Sequence, residues 1–458
     1  MPATKSVPQT SSMKRTLGLG GAVMLGLGSI LGTGVFVSLA IAAGVVGDQL
    51  VVAIVLAGLV ALANGISSAQ LAAAHPVSGG TYAYGRKYLN PHLGFVAGWM
   101  FLVAKSASAA TAALGLAGYG LGLLGRGHDG SFVVPAAVAA CVVATALVVS
   151  GLRRSNAVNT VLVIVTVVGL ATFVSTSFLG AAPDDTVATW GAAERATTSA
   201  PPTSAPPTIA PPTIAAPETT PPSEPAETFF FGVALLFVAF TGYGRVATMG
   251  EEVKDPRRTI PVAVVATLVA TLVIYVLVAL AALHSVGAEA FGAAVWNAGA
   301  APLERLLQTR GHAVAATVVA VSAITAMAGV LLNLVLGLSR VLFAMGRDQQ
   351  LPGIVGRLSP EGNPTVAIAV MGGAVALLTL LGDVKTTWAF SALTVLIYYG
   401  LTNASALRLP TSARSFPRWI SWFGLTACLG LALFIPWTMW VYGGVVLGVG
   451  LLLRAVTT

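Results

Sequence analysis

Two glycine-interrupted stretches carry the residues best placed to hold a solute. They are Gly28-Ser29-Ile30-Leu31-Gly32-Thr33-Gly34-Val35-Phe36 and Ala239-Phe240-Thr241-Gly242-Tyr243-Gly244-Arg245. The first lies inside an apolar run from Leu17 to Val46 that has no charge. A glycine weakens a helix by about 1 kcal/mol relative to alanine, so Gly32-Thr33-Gly34 predicts a break within that run. Broken backbone at membrane depth is tolerated only where it is buried in protein or lines a cavity. There, the free N–H groups of a half-helix suit an anion, and unwound carbonyls suit a cation. The glycines therefore read as one half of a binding site. Gly28 and Gly32 also have the spacing of a GxxxG packing face, and the two readings are compatible.

Few other residues could do chemistry. Ionisable groups at membrane depth are costly and point to function. Only Lys105 and Arg245 fall inside apolar segments, and no Asp or Glu lies in the middle of one. Lys105 reads either as a proton-titrating, substrate-facing group or as a cation capping backbone carbonyls. Arg245 reads as an inner-gate residue or a side chain reaching toward Glu251 and the cytoplasmic rim, with a direct substrate contact as the alternative. Ser322, Thr325 and Asn333 are polar candidates for an ion shell, although Ser and Thr in such helices more often bond their own backbone. Gly242-Tyr243-Gly244-Arg245-Val246-Ala247 fits GxGxxA, but with no preceding strand it is not a nucleotide fingerprint. The pair Glu251-Glu252 has no histidine at metal spacing, there is no HExxH, and the five histidines are scattered. No metal site is expected. Cys141 and Cys428 both fall in apolar segments, so no disulfide framework is expected.

The elements that must position these residues are membrane helices. Hydrophobic residues make up 56% of the chain and charged ones 9%, against about 25% charged in soluble domains. Against a requirement of about 20 apolar residues per crossing, twelve segments qualify: 18–43, 49–73, 93–123, 132–150, 156–180, 228–250, 260–283, 313–345, 364–382, 386–408, 417–435 and 437–455. The first run is too long for a signal-peptide core, so no cleavage is expected. Most of the 24 Lys and Arg residues fall in one set of alternate loops and the termini. Only Arg126, Arg195, Arg305, Arg310 and Lys385 fall in the other. This bias predicts both termini in the cytoplasm, and it explains the net charge of +8 without invoking nucleic acid.

Organisation follows from the same pattern. A cytoplasmic tail (1–17) precedes a first five-helix repeat (18–180). A Pro/Thr-rich external linker (181–227) leads to a second five-helix repeat (228–408) and two further helices (409–458). Each repeat opens on a broken helix. Five crossings is an odd number, so the second repeat enters the membrane inverted. The linker holds too little apolar surface to pack.

These residues resemble a family. The stretch Gly28–Phe36 is similar to the first-helix signature of the amino acid–polyamine–organocation superfamily. Phe240-Thr241-Gly242-Tyr243 and Gly250-Glu251-Glu252-Val253-Lys254-Asp255-Pro256-Arg257-Arg258-Thr259-Ile260-Pro261 resemble its sixth helix and the loop that follows. Pro76-Val77-Ser78-Gly79-Gly80-Thr81-Tyr82-Ala83-Tyr84, Gly98-Trp99 and Arg340-Val341-Leu342-Phe343-Ala344-Met345 match further segments in order, closest in flavour to the cationic amino-acid transporter branch and its bacterial relatives. The resemblance implies an all-α membrane protein with the leucine-transporter-like fold: two inverted five-helix repeats plus two C-terminal helices. It implies that the amides of Gly32, Thr33 and Gly34 bind a substrate carboxylate. It further implies that the carbonyls of Ile30, Val238 and Thr241 take the ammonium, and that positions around Phe240 and Gly242 shape the pocket. In several sodium-independent members a fifth-helix lysine occupies a sodium position; the corresponding residue here is Thr166.

The expected function is a secondary permease of the cell membrane that moves an amino acid by alternating access, without covalent chemistry or a cofactor. A cationic substrate would want a nearby carboxylate. The interior offers positive charge instead, which favours a neutral or small amino acid over a cationic amino acid or polyamine. H⁺ or Na⁺ would be the coupling ion. The expected partners are the small-molecule substrate and the lipid bilayer, and no protein partner can be inferred. A transport-inactive amino-acid sensor is the alternative of a different class.

Overall fold

The computed structural model describes residues 17–76, 79–126, 130–151, 156–179, 225–248, 253–297, 301–360, 362–381 and 384–457. Most of the Pro/Thr-rich linker, from 181 to 224, and the pair Glu251-Glu252 lie outside them. Every regular element among the described residues is helical, and the one β-like contact is an isolated parallel bridge between Leu17 and Val253.

The chain opens with α1 (Leu19–Ile30), a non-helical step at Leu31, a wide π-type turn (Gly34–Ser38) and α2 (Leu39–Val46). It continues through α3 (Leu50–Ala74), α4 (Thr81–Tyr88), α5 (Pro91–Leu123), α6 (Val133–Val149) and α7 (Asn156–Leu179). After the linker come α8 (Pro225–Phe240), a tight 3₁₀ turn (Thr241–Tyr243) and α9 (Gly244–Thr248). Then follow α10 (Pro256–Asn297), α11 (Pro302–Thr309), α12 (Ala313–Arg347), α13 (Thr365–Thr379), α14 (Val384–Leu407), α15 (Arg418–Leu433) and α16 (Trp437–Thr457).

Among the described residues, eight helical stretches are long and apolar enough to cross a membrane, and four shorter apolar helices accompany them: Leu19–Ile30, Val133–Val149, Thr365–Thr379 and Arg418–Leu433. The shortness of the first has a local cause, the glycine break at its end. Helix α8 begins at Pro225, three residues before the boundary expected from apolar content, because Pro is pre-set for a helix's first turn and Glu227 suits its positive end. Helix α10 is bent at Gly287, whose φ of 78° is a left-handed conformation that glycine adopts without penalty.

The apolar side chains form two cores rather than one. The larger joins residues of α1, α2, α3, α8 and α10, with the N-terminal half of α12 and much of α14. The second joins α5, α6, α13 and the C-terminal half of α12. Helix α5 lies against α12 on one side and α14 on the other and contributes to both cores. A molecule with two cores and a shared spine has a seam. The site lies in it.

Candidate functional site

The two chain breaks meet back to back. A Cβ on Gly242 would overlap the carbonyl of Ser29, and one on Gly34 would overlap the Tyr275 hydroxyl and approach the Ala239 carbonyl at 3.0 Å. Glycine is required at these points because two backbones, and a tyrosine between them, come into contact. Gly28 and Gly32 also serve packing: a side chain at Gly28 would strike Asn159 of α7, and one at Gly32 would strike Val330 of α12.

At the first break the Val35 and Phe36 amides both turn to the Gly32 carbonyl at 3.2 Å. Gly32, Thr33 and Gly34 therefore stand at the start of a new helical segment, where N–H groups have no partner one turn earlier. At the second break the carbonyls already have donors. The Thr241 hydroxyl donates to the Val238 carbonyl at 2.7 Å, and the Tyr399 hydroxyl donates to the Thr241 carbonyl at 3.1 Å. The Lys105 ammonium donates to the Thr241 hydroxyl at 2.8 Å and reaches its carbonyl at 3.5 Å. Tyr275 bridges the two breaks, donating to the Ala239 carbonyl at 2.9 Å and lying 3.4 Å from that of Ile30.

Beside the breaks is a cavity of about 120 Å³. One water needs roughly 10–15 Å³ on the same measure, so there is room for a small organic solute. Its walls combine Ile30, Thr33, Gly34, Val238, Thr241 and Gly242 from the breaks with Phe101, Lys105, Val330, Asn333 and Leu334 from α5 and α12, and Trp388 and Tyr398 from α14. The Lys105 ammonium also sits over the Tyr398 ring, 5.9 Å from its centre, and is only 7% exposed. The Asn333 amide nitrogen is buried there without a hydrogen-bond partner. Lys105, Arg245 and Arg340 line the cavity, and no carboxylate among the described residues does.

At one end the cavity wall comes to the surface. Arg340 is exposed and Gly79 lies in a loop, and both belong to its wall. Close by, Arg86 forms an ion pair with Asp348 at the end of α12. At the other end Tyr119 closes the structure. Its hydroxyl donates to the Phe36 carbonyl at 2.9 Å, the Leu303 amide approaches it at 3.4 Å, and Trp388 donates to the Leu235 carbonyl at 2.9 Å. Glu304, on the short α11, is buried against α5 with one oxygen unpartnered. Burial pushes its carboxyl up to about 7.

Of the residues singled out from sequence, Ile30, Thr33, Gly34, Lys105, Val238, Thr241, Gly242, Arg245 and Asn333 line this cavity. Five do not. Gly32 sits behind Val330. Phe240 is fully buried with its ring 4.9 Å from that of Tyr275, so it supports the break and does not shape the pocket. Thr166, Ser322 and Thr325 return their hydroxyls to their own helices, at the carbonyls of Leu162, Val319 and Val321. Tyr275, Tyr398, Tyr399, Trp388 and Phe101 were not singled out. They lie far from the breaks in sequence, and only the doublet Tyr398-Tyr399 within a helical run was a signal.

The sequence profile described as "Amino acid permease" matches residues 21–457. An uncharacterized transporter of Mycobacterium tuberculosis (strain H37Rv) is 37% identical over 96% of this chain and 90% of its own length. A branched-chain amino acid permease of Bacillus subtilis is 26% identical over 92% of this chain and 86% of its own. Cationic amino acid transporter 4 of Mus musculus is 30% identical over a shorter stretch, 41% of this chain and 28% of its own.

Proposed function

We propose, for a chain that belongs to the amino acid permease family, that it is a secondary permease carrying a neutral or small amino acid across the cell membrane by alternating access. The observation that carries this reading is the cavity itself. It lies where two broken helices touch, in the seam between two apolar cores, with the exposed Arg340 in its wall at one end. A seam between two rigid bodies is where one body can rock against the other to open the opposite end. In this reading the eight long and four short apolar helices make twelve crossings, arranged as two inverted repeats plus two helices. Both termini face the cytoplasm, and the open end is the inward one.

The roles follow from the chemistry of each wall. The amides of Thr33 and Gly34, with Gly32 behind them, receive the substrate carboxylate at the start of a helical segment. The carbonyl of Thr241 and its neighbours receive the ammonium. Phe101, Val238, Val330, Leu334 and Trp388 surround an apolar side chain. A cationic side chain would meet Lys105, Arg245 and Arg340 with no carboxylate among the described residues of the wall, which disfavours arginine, lysine and polyamines. The Bacillus relative's name, a branched-chain amino acid permease, agrees with an apolar pocket.

The test is uptake of labelled alanine, leucine, glutamate and arginine into proteoliposomes, under a proton gradient, a sodium gradient or neither. Saturable uptake of alanine or leucine, not inhibited by arginine, is expected. Arginine uptake would return the protein to the cationic branch, and no saturable uptake of any would favour a sensor.

A further inference from the structure

The second break is not vacant. Each carbonyl available to an incoming ammonium has an internal donor, and among those donors one is itself an ammonium: Lys105, at the Thr241 hydroxyl and carbonyl. The other donors, Tyr275, Tyr399 and the Thr241 hydroxyl, are neutral. Lys105 thus stands where the proposed substrate would put its own positive charge.

The groups around it decide what happens when both arrive. From α8 and the turn beyond it come the Thr241 hydroxyl and carbonyl. From α9 comes Arg245, from α12 Arg340 and Asn333, and from α14 Tyr398 under the ammonium and Tyr399 beside it. Tyr243 lies behind Tyr399, with ring centres 5.4 Å apart. From α5 itself come Ser108 and Phe101. Two of these groups are cations, and among the described residues none is a carboxylate. Two ammonium groups on one carbonyl would repel strongly in such surroundings. A neutral lysine amine, in contrast, has a lone pair that accepts a hydrogen bond from the substrate's ammonium.

We infer that the substrate's α-ammonium and the Lys105 ammonium compete for Thr241, so that the loaded carrier holds Lys105 uncharged and each amino acid crosses in exchange for one proton. The inference rests on the amino-acid reading of this site. The proton leaves Lys105 Nζ for water at the open end of the cavity as the substrate binds. It is regained after the substrate departs, and the empty carrier returns with it. Proton and amino acid therefore travel in opposite directions, and an inward proton gradient drives the amino acid outward.

The sign of this coupling can be read directly. The full chain is reconstituted in proteoliposomes with labelled alanine and leucine at equal concentration on both sides, and a pH difference is imposed. The labelled amino acid is expected to accumulate in the acidic compartment, and apparent affinity at equilibrium to weaken by up to about tenfold per unit fall in pH, the limit for one displaced proton. Lys105→Met should lose the response of accumulation and affinity to pH, whatever its absolute rate. Lys105→Arg, whose charge cannot be given up, should bind poorly at every pH. Accumulation in the alkaline compartment, or exchange by the wild type that ignores pH, would overturn the inference while leaving the permease reading intact. Absence of any alanine or leucine movement would overturn both.

Discussion

The two breaks are built from similar glycine-rich sequence, yet they present opposite faces to the cavity. At Gly32-Thr33-Gly34 the groups presented are amides at the beginning of a helical segment, with Ser38 returning to the Gly34 carbonyl and the Tyr275 hydroxyl 3.4 Å from the Ile30 carbonyl just before it. At Thr241–Tyr243 the exposed groups are carbonyls, held by the Thr241 hydroxyl, Tyr399 and Lys105. The difference follows from the cost of leaving backbone unpaired away from water, several kcal/mol per group. An amide end can wait for an anion because the helix dipole already favours one, whereas a carbonyl end at membrane depth needs a resident donor. One break is thus ready for a ligand, and the other must exchange an occupant for it.

The sharpest way to break this comparison is to force the two apart. Gly242→Ala places a methyl group on the Ser29 backbone, where no flexible tip can yield, so the breaks must separate by a sizeable fraction of an ångström. Uptake of labelled alanine should fall by about 100-fold, the scale that a misplacement near 1 Å can carry, in protein that remains monodisperse by size-exclusion chromatography. A smaller effect is expected at the bridge. Tyr275→Phe leaves the Ala239 carbonyl without its donor, which should lower stability by about 1–3 kcal/mol and reduce the melting temperature in detergent.

The position of these partners explains what the sequence could convey. Glycine in an apolar run is a local signal, because the penalty acts within one helix, so both breaks and the apolar helices around them were legible. Ser322 and Thr325, read as candidates for an ion shell, lie outside the cavity wall and donate their hydroxyls to carbonyls of their own helix, the local bonding that competes with that reading. Tyr275 and Tyr399 were illegible for a different reason. Each acts across more than one helix, and a tyrosine facing a broken carbonyl has the same local sequence as one packed in a core. Phe240 failed in the opposite sense: its place in the motif suggested the pocket, but Gly58 and Tyr275 accept its ring on the far side.

The closed end sharpens the comparison through pH. Glu304 is a carboxyl that burial holds up to about 7 in the folded protein, above the ordinary carboxylate range. Between that ordinary range and about 7 the folded chain binds more protons than the unfolded one, so stability must fall as pH rises through this window. Thermal melting should show a higher midpoint at about pH 5 than at about pH 8, and Glu304→Gln should flatten the difference. The smallest effect is expected from Thr325→Ala. Its hydroxyl serves only its own helix, so uptake and its response to sodium should stay within about twofold of wild type.

The central claim is that an amino acid is held where the two breaks meet, and equilibrium binding to the purified protein tests it most directly. Labelled leucine and alanine are titrated against wild type and Gly34→Ala, a substitution that crowds Tyr275 and the Ala239 carbonyl at the junction. The account predicts saturable binding of at least one of them to the wild type and its loss in the variant, with both proteins equally monodisperse. Equal binding by the two proteins would contradict it.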